Sequence, residues 1–364
     1  MRLHPGVASG NLGVELEALS MGGEKQSDMP RREPVRRVAV ECGEISAYAR
    51  HMVSISAPVD RYTVSVDEYV RFRSEGFLIV RGLVATDEVQ ELLSHVDYLL
   101  TGRVEVPGAP AFGADNKTAE TRLDHLLRIH MLHRRLEIHE RFMLHPRVLD
   151  VVQALGGPDV LALQTMLFVK RPGSAGQGYH QDSFHIITQS DTLVGAWLAL
   201  DPADEENGCL RVTAGSQHEP VYPDVDEQAG HGGDRLLADI PSIAGADDPD
   251  ERRNELTAVA AKYEGREVAA VVEPGDVVFF GGHVLHRSHA NASATRSRRS
   301  FVAHYCNARS HVPWDDEPLQ DGEMGNGRHI LARGETRLPY AHPKFGTPCA
   351  ANGYRDEAAT SPRP

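Results

Sequence analysis

The chain has 364 residues, which suits one or two domains, and its formal net charge of −14 argues against broad nucleic-acid binding, because such binding needs a concentrated basic surface. Its four cysteines lie far apart without a C-x-x-C pair, so neither a zinc knuckle nor a dense disulfide framework is expected, and a cytoplasmic protein is predicted. No apolar run reaches the ~18 residues of a membrane span, so a small-molecule partner is favoured over a membrane or a nucleic acid.

The first 61 residues mix Gly, Pro, Glu and Arg without apolar periodicity, so we predict a flexible N-terminal leader over 1–61 that lacks a secretory signal. Ordered structure is expected from Tyr62 onward. Ser65 followed by Glu68 is a capping-box pattern, in which each side chain bonds the other residue's backbone N–H where a helix begins. Gly76 is the predicted end of this first helix.

A short strand, 77–80, and two further helices are predicted next. The second helix begins at Thr86. The third runs from Pro146 to Leu155, because proline is tolerated in a first turn and Gly156-Gly157 favours termination. The apolar residues that recur at helical spacing in the second helix are Val89, Leu92, Leu93, Val96 and Leu100.

From residue 158 onward, short β-branched and aromatic runs alternate with Gly, Pro, Asn and Asp, a pattern typical of a sandwich or barrel of short strands. Helices first and strands second predict an α+β fold, with helices packed on one sheet, in a catalytic domain over 62–312. The candidate strands are Val160–Lys170, Thr192–Ala199, Cys209–Val212, Val268–Val272, Asp276–Phe280 and Arg298–Tyr305.

Two further segments do not follow this strand pattern. The acidic, Gly-rich insertion 218–267 is predicted to be a lid, with a short helix near Leu256–Tyr263, because long connections in compact domains are usually functional. The C-terminal extension, 313–364, is rich in Pro and Gly, and the sequence predicts no role for it.

The chemistry is suggested first by His180-Gln-Asp182. Alternate residues of a strand face the same side, so His180 and Asp182 can reach one ion while Gln181 points away. A distant histidine would complete a set of two imidazoles and one carboxylate, which leaves open positions on Fe(II) for a co-substrate and O2. The spacing does not choose among four candidates for this third ligand. They are His283, His286, His289 and His304.

A basic cluster at residues 295–299 supports the same chemistry, because its arginines run straight into a predicted strand. A dicarboxylate that chelates iron through its 2-oxo acid end leaves a distal carboxylate free, and arginine binds such a group in a two-pronged pair. Strand alternation places Arg298 and His304 on one face and Arg299 on the other.

These ordered motifs resemble those of the phytanoyl-CoA dioxygenase family, and the resemblance extends over residues 62–310. Several motifs in the same order are more specific than any one of them. The matching segments are Val70-x5-Gly76-Phe-Leu-Ile-Val-Arg-Gly-Leu83, Thr165-Met-Leu-Phe-Val-Lys170, His180-Gln-Asp182, Ala196-Trp197-x-Ala-Leu200, Asn207-Gly-Cys-Leu210, Ala214-Gly-Ser-Gln-His218, Pro274-Gly-Asp-Val-Val-Phe-Phe280 and His286-x-Ser288-x2-Asn291.

The resemblance implies a double-stranded β-helix core (jelly-roll, cupin-like) and dependence on Fe(II), 2-oxoglutarate and O2. It implies that His286 is the third iron ligand beside His180 and Asp182, because the family's distal histidine precedes an x-Ser-x-x-Asn element. The co-substrate arginine follows on the next strand. Arg-x5-His-Tyr points to Arg298, with Arg299 as the alternative, because Arg298 stands one place further from the histidine than is usual.

Other residues are assigned by the resemblance alone. Met166, Trp197 and Ser288 are similar to the family's co-substrate pocket, and an upstream contact falls within Arg128–His130. The chain departs from the family at Ala214-Gly-Ser-Gln-His218, where Pro-Gly-Ser-His is common. No segment of the sequence identifies a CoA-binding patch.

The predicted activity is hydroxylation of an unactivated C–H bond in a small-molecule metabolite, either a secondary metabolite or a lipid-like compound. Asp182 favours hydroxylation over chlorination, because halogenating relatives replace this carboxylate with a small residue. The alternatives are desaturation, cyclisation or epimerisation on the same scaffold, a non-catalytic cupin-like binding protein, and a zinc hydrolase. The sequence determines neither the substrate nor the oligomeric state.

Overall fold

The computed structural model describes residues 61–106, 128–222, 256–314, 325–336 and 344–345. The predicted leader lies outside these residues except for Arg61, and so does most of the predicted lid and of the C-terminal extension. Within the described ranges, no helix is both long enough and apolar enough to cross a membrane.

The regular elements are numbered here in chain order. The helices are α1 (Val66–Glu75), α2 (Thr86–Leu100), α3 (Glu137–Met143), α4 (Pro146–Gly156), α5 (Asp182–His185) and α6 (Leu256–Ala260). The strands are β1 (Phe77–Val80), β2 (Arg128–His130), β3 (Val160–Lys170), β4 (Gln177–His180), β5 (Val194–Ala199), β6 (Leu210–Thr213), β7 (Glu267–Ala269), β8 (Val277–Gly281), β9 (His286–Ser288), β10 (Arg298–Asn307), β11 (Ile330–Arg333) and β12 (Lys344–Phe345).

Helix α1 begins and ends where the sequence predicts. The Ser65 hydroxyl accepts the Glu68 backbone N–H at 3.2 Å, and the Glu68 carboxylate accepts the Ser65 N–H at 2.8 Å. Gly76 follows with a φ of +85°, and a Cβ there would lie 2.6 Å from Gln217 Oε1 and 2.8 Å from Val284 Cγ2. A side chain at this turn would meet both a strained backbone and two neighbours, so glycine is required between α1 and β1.

Most other predicted elements are also confirmed. The helix near Leu256–Tyr263 is present as α6 followed by a 3-10 turn. The predicted strand 268–272 is wrong in its extent, because β7 covers Glu267–Ala269 and Val272 then forms an isolated bridge with Ala203. The structure adds helix α3 and strands β2, β9, β11 and β12 to the predicted elements.

Two sheets organise the described chain. The larger has the strand order β1-β8-β5-β10-β3-β11-β12, with β2 also paired to β3, and the smaller has the order β4-β9-β6-β7. All of these pairs are antiparallel except β11 with β12. The strands from β3 to β10 therefore divide into two groups of four, β3, β5, β8 and β10 in one sheet and β4, β6, β7 and β9 in the other.

The larger sheet is buried on both faces. On one face Tyr305 of β10 belongs to an apolar cluster with Leu92 of α2 and Leu149 of α4. On the other face Val302 of the same strand belongs to a cluster with Val212 of the smaller sheet. Helices thus cover one face of the larger sheet and the smaller sheet covers the other, which confirms a mixed fold with helices packed on one antiparallel sheet.

Candidate metal centre and co-substrate cavity

Three side chains from three elements meet at one point. His180 ends β4 and His286 begins β9, and the two are direct partners in the antiparallel pair, with ring centroids 4.0 Å apart. Asp182 begins α5, and its Oδ1 lies 3.6 Å from His286 Nε2 and 3.9 Å from His180 Nε2. The potential ligand atoms all lie within 4.8 Å of one another, so the structure brings the predicted triad together.

The prediction that a strand continues through Asp182 is wrong, but the prediction that His180 and Asp182 project to the same side is confirmed. Strand β4 ends at His180, and Asp182 opens a helical turn in which the Ile186 N–H donates to Asp182 O at 2.8 Å. Gln181 is extended, with φ −124° and ψ 126°, so its two neighbours still project to the same side. The Gln181 amide points away from them and donates to His283 O at 2.8 Å.

Both triad imidazoles are oriented by backbone carbonyls. His180 Nδ1 lies 2.9 Å from Gly178 O, and His286 Nδ1 lies 2.9 Å from Val284 O. A carbonyl oxygen only accepts, so each Nδ1 carries the hydrogen and each Nε2 presents a lone pair towards the common point. Burial, and then the neighbouring His286, lower the pKa of His180 to about 3, so its ring is neutral, as a metal ligand must be.

The Asp182 carboxyl group is ionised in this setting. Burial by itself would raise its pKa, but the imidazoles of His286, His304 and His180 outweigh burial and hold the pKa of Asp182 well below its ordinary value. His304 Nε2 lies 2.9 Å from Oδ2 of Asp182. One carboxylate oxygen therefore faces the two triad histidines, and the other is bonded to a third imidazole.

The four histidines that compete for the third position have different surroundings. His286 belongs to the group of side chains that could hold a metal ion. His304 bonds Asp182 from the opposite side, a role that the sequence did not predict. His283 is absent from the cavity lining, and His289 is exposed.

The triad lines a cavity that opens to solvent. Phe168, Ile186 and Leu210 contribute apolar wall. Every predicted site residue lines the cavity, and these are His180, Asp182, His286, Met166, Trp197, Ser288 and Arg298.

Arg298 is buried and faces this cavity. Its guanidinium carbon lies 5.4 Å from the centroid of the Trp197 ring, its Nε donates to Gly208 O at 3.2 Å, and its Nη1 donates to Ser300 Oγ at 3.1 Å. Burial lowers the pKa of Arg298 to about 10, so the guanidinium is charged at neutral pH. Among the described residues no carboxylate forms an ion pair with it.

Arg299 lies on the opposite face of β10, as strand alternation predicts. Its Nε lies 2.8 Å from Asp201 Oδ2, and its Nη1 lies 2.6 Å from Asp97 Oδ1. Two aspartates therefore already bind Arg299. Of the two candidate arginines, Arg298 is the one that lines the cavity.

Three further basic residues line the cavity, Arg128, Lys170 and Arg287. Arg128 on β2 does so, which narrows the upstream contact expected within Arg128–His130. Lys170, at the end of β3, is only 2% exposed and is the cross-strand partner of Arg298. No role was predicted for Lys170 at the end of its family motif, although a lysine that ends a long apolar strand is the signal that could have identified it.

The donor set fits Fe(II). Two imidazole nitrogens and one carboxylate oxygen that face one point match a 2-His-1-carboxylate facial triad, which suits this metal and leaves positions for further ligands. The cavity also fits an anionic co-substrate, because Arg298 is buried and a buried charge needs a partner of opposite sign.

Comparisons with known proteins agree with these features. A model of the phytanoyl-CoA dioxygenase (PhyH) family matches residues 72–300. The peroxisomal phytanoyl-CoA dioxygenase of Rattus norvegicus is 26% identical over 257 residues, which cover 68% of this chain and 70% of that protein.

Two solved structures share the fold at low sequence identity. The non-haem alpha-ketoglutarate-dependent carbocyclase SnoK from nogalamycin biosynthesis has a TM-score of 0.51 and 18% identity, over 71% of this chain and 90% of its own. The non-haem monooxygenase ThoJ in its apo form has a TM-score of 0.52 and 21% identity, over 76% of this chain and 87% of its own. The family match covers well over half of the sequence, and the chain belongs to the phytanoyl-CoA dioxygenase family of enzymes that depend on Fe(II) and 2-oxoglutarate.

Proposed function

We propose that this enzyme hydroxylates an unactivated C–H bond of a small-molecule substrate. The observation that carries the proposal is the convergence of His180, Asp182 and His286 within 4.8 Å, in the same cavity as the buried cation of Arg298. A metal ion bound by the three ligands and a dicarboxylate that chelates this ion at one end and reaches Arg298 at the other would account for both the triad and the buried arginine.

The proposed core is a double-stranded β-helix. The supporting observation is the division of β3 to β10 into two four-stranded antiparallel groups, with the orders β8-β5-β10-β3 and β4-β9-β6-β7. Eight strands in two facing sheets are the arrangement of jelly-roll and cupin-like domains. In this arrangement both metal-binding histidines lie on the smaller sheet, at the β4–β9 pair.

His180, Asp182 and His286 are the proposed iron ligands. The carbonyls of Gly178 and Val284 fix the orientation of the two imidazoles, so little reorganisation is needed when the metal binds. When bound, Fe(II) with 2-oxoglutarate and O2 supplies the C–H oxidation, and 2-oxoglutarate leaves as succinate and CO2.

Arg298 is the proposed partner of the distal carboxylate of 2-oxoglutarate, and Met166, Trp197 and Ser288, which line the same cavity, are the other proposed co-substrate residues. A bidentate arginine–carboxylate pair orients as well as attracts its ligand. Trp197 lies beside the guanidinium and limits its movement. The result is a chelating end held at the triad and a distal end held at Arg298.

The rest of the cavity is the proposed substrate site. Phe168, Ile186 and Leu210 form an apolar wall that suits a hydrocarbon portion of a secondary metabolite or a lipid-like compound. Asp182 supports hydroxylation over halogenation, because the carboxylate occupies the position that a halide would need. Desaturation, cyclisation and epimerisation depend on where the substrate C–H lies, and a product analysis distinguishes them from hydroxylation.

The test is a metabolite screen for substrate-stimulated succinate release, followed by mass spectrometry of the product formed under isotopically labelled O2. Hydroxylation predicts a product that gains one labelled oxygen atom, and His286→Ala should abolish its formation. A product that lacks the label and has lost two hydrogen atoms would instead establish desaturation or cyclisation. A product of unchanged mass would establish epimerisation, and either result contradicts the proposed outcome.

A further inference from the structure

Lys170 is a buried lysine that the proposed function does not yet use. It ends β3, lines the cavity and is 2% exposed. Its Nζ donates to Ser288 Oγ at 2.9 Å and to the His289 carbonyl. Ser288 itself is one of the proposed co-substrate residues, so Lys170 lies against the same subsite.

Lys170 and Arg298 are neighbours that share no counter-ion among the residues that the structure describes. They are direct cross-strand partners in the β3–β10 pair, and both line the cavity. Neither forms an ion pair with a carboxylate within the described ranges of the chain. A charge on Lys170 beside the charged Arg298 is unfavourable unless an anion joins the two groups, so the subsite is incomplete without a ligand.

Hydrogen-bond donors remain for that anion. An ammonium group has three N–H donors, and the described partners of Lys170 are two, Ser288 Oγ and the His289 carbonyl. Arg298 donates through Nε and Nη1 to Gly208 O and Ser300 Oγ, and no described acceptor bonds its Nη2. A carboxylate has two oxygens with lone pairs for both residues.

We propose that Lys170 is a second binding residue for the distal carboxylate of 2-oxoglutarate, acting together with Arg298. The inference rests on the proposed function, because it assigns the same carboxylate to the same subsite. Arg298 takes one side of the carboxylate, and the Lys170 ammonium, positioned by Ser288, takes the other.

The protonation of Lys170 supports this role. Burial, and then the charge of Arg298, lower the pKa of Lys170 to about 6, so the amine is largely neutral at pH 7.5 before a ligand binds. The ionisable groups that face it are Arg298 on β10, Cys209 next to β6 and His289 after β9. A carboxylate that binds beside Arg298 and Lys170 favours the charged ammonium form of Lys170, and binding is then accompanied by proton uptake.

The experiment compares two 2-oxo acids and two variants of the full chain. 2-Oxopentanoate chelates a metal as 2-oxoglutarate does but has a methyl group in place of the distal carboxylate. Lys170→Met keeps the length of the side chain and removes its charge, and Lys262→Met is the matched control at an exposed lysine. Dissociation constants are measured by anaerobic calorimetric titration of the Fe(II)-loaded proteins, with thermal unfolding as a check on folding.

If Lys170 binds the distal carboxylate, Lys170→Met weakens 2-oxoglutarate binding by roughly 10- to 100-fold, the usual effect of one hydrogen bond to a charged group. Binding of 2-oxopentanoate stays unchanged, and Lys262→Met changes neither ligand. An equal loss for both ligands, or no loss for 2-oxoglutarate, overturns the inference. Failure of the folded, unsubstituted enzyme to bind 2-oxoglutarate at all would overturn the proposed function instead.

A second measurement keeps the inference testable if Lys170→Met does not fold. The unsubstituted enzyme is titrated at pH 7.5 in two buffers of different ionisation enthalpy, which gives the number of protons taken up on binding. The inference expects net proton uptake with 2-oxoglutarate and markedly less with 2-oxopentanoate. Equal proton uptake with the two ligands overturns it.

Discussion

Nε2 of His304 lies 2.9 Å from Oδ2 of Asp182, so a buried imidazole from the larger sheet holds the carboxylate that faces the two triad histidines. His304 is itself bonded through Nδ1 to the Gln164 side chain at 3.1 Å. This contact fixes the rotation of the carboxylate before a metal binds. Residues that hold a metal ligand in this way orient it and usually strengthen metal binding.

His304→Ala should therefore weaken Fe(II) binding by roughly 10- to 100-fold without removing a ligand. Anaerobic calorimetric titration of the metal-free protein with Fe(II) measures the effect, and His218→Ala, at an exposed histidine, is the control. His304→Gln, whose amide can donate to the same oxygen, should recover part of the affinity. Equal affinity in His304→Ala and the unsubstituted protein would show that the contact does not position Asp182.

The adjacent arginines provide an internal control for the co-substrate site. Arg298→Gln should weaken 2-oxoglutarate binding by at least about 30-fold, or about 2 kcal/mol, because a desolvated carboxylate loses its charged partner. Arg299→Gln should leave that affinity unchanged, since Arg299 pairs with Asp201 and Asp97 on the other face of β10. The measurement is the dissociation constant of 2-oxoglutarate for each variant. A larger loss of affinity in Arg299→Gln than in Arg298→Gln would show that Arg299, not Arg298, binds the carboxylate.

The pair of His283 and Asp191 predicts a pH-dependent stability. His283 Nε2 lies 2.6 Å from Asp191 Oδ2, and this hydrogen bond raises the pKa of His283 above its ordinary value. A raised pKa means that the stabilisation is fully present below the unfolded pKa of about 6.5 and is lost as pH rises through the folded pKa. The pKa of Asp191 is lowered, because its bonds to His283 and Ser183 outweigh burial, so this carboxylate stays charged across the same range.

The expected result is a difference in Tm between the unsubstituted protein and His283→Gln that is largest near pH 6 and shrinks towards pH 9. Thermal unfolding followed by circular dichroism at several pH values measures it. His218→Gln, at an exposed histidine, should show no such trend. A difference that is constant with pH, or that grows as pH rises, contradicts the charged pair.

The Gln181 side chain connects the metal centre to the segment after β6 by hydrogen bonds, and we expect these bonds to stabilise the protein. Its amide donates to Pro220 O at 3.0 Å and to His283 O at 2.8 Å, and its oxygen accepts the Tyr222 N–H at 3.1 Å. Gln181→Ala leaves these backbone groups without that partner and should cost about 1–3 kcal/mol of unfolding free energy. Urea denaturation gives the value, with Gln153→Ala, at a half-buried glutamine on α4, as the control. A cost equal to that of the control would mean that the amide contributes little.

Local signals in the sequence were sufficient for several elements. The capping box at Ser65 and Glu68 defines the start of α1, and the apolar run of β3 has the predicted bounds. A single helical turn such as α5 has no periodicity to detect, so the end of β4 at His180 was missed. The periodicity of apolar residues therefore predicts long helices and strands better than a single helical turn such as α5, which carries Asp182.

The choice among the histidines and arginines depends on contacts far apart in the sequence. The register of the β4–β9 pair places His180 directly opposite His286. The spacing of residues within each strand does not predict how the two strands are aligned. Alternation along β10 placed Arg298 and Arg299 on opposite faces but did not identify the cavity face. The burial of Tyr305 against the helices settles which face that is.

If His180, Asp182 and His286 bind one ferrous ion that 2-oxoglutarate then chelates, the complex absorbs visible light. Fe(II) and 2-oxoglutarate are added anaerobically to the metal-free protein, and visible absorption spectra are recorded. The unsubstituted protein should develop the charge-transfer band of the chelate, and the combined Asp182→Ala and His286→Ala variant should not. Absence of the band in the unsubstituted protein, or its persistence in the double variant, would show that these three side chains are not the iron ligands.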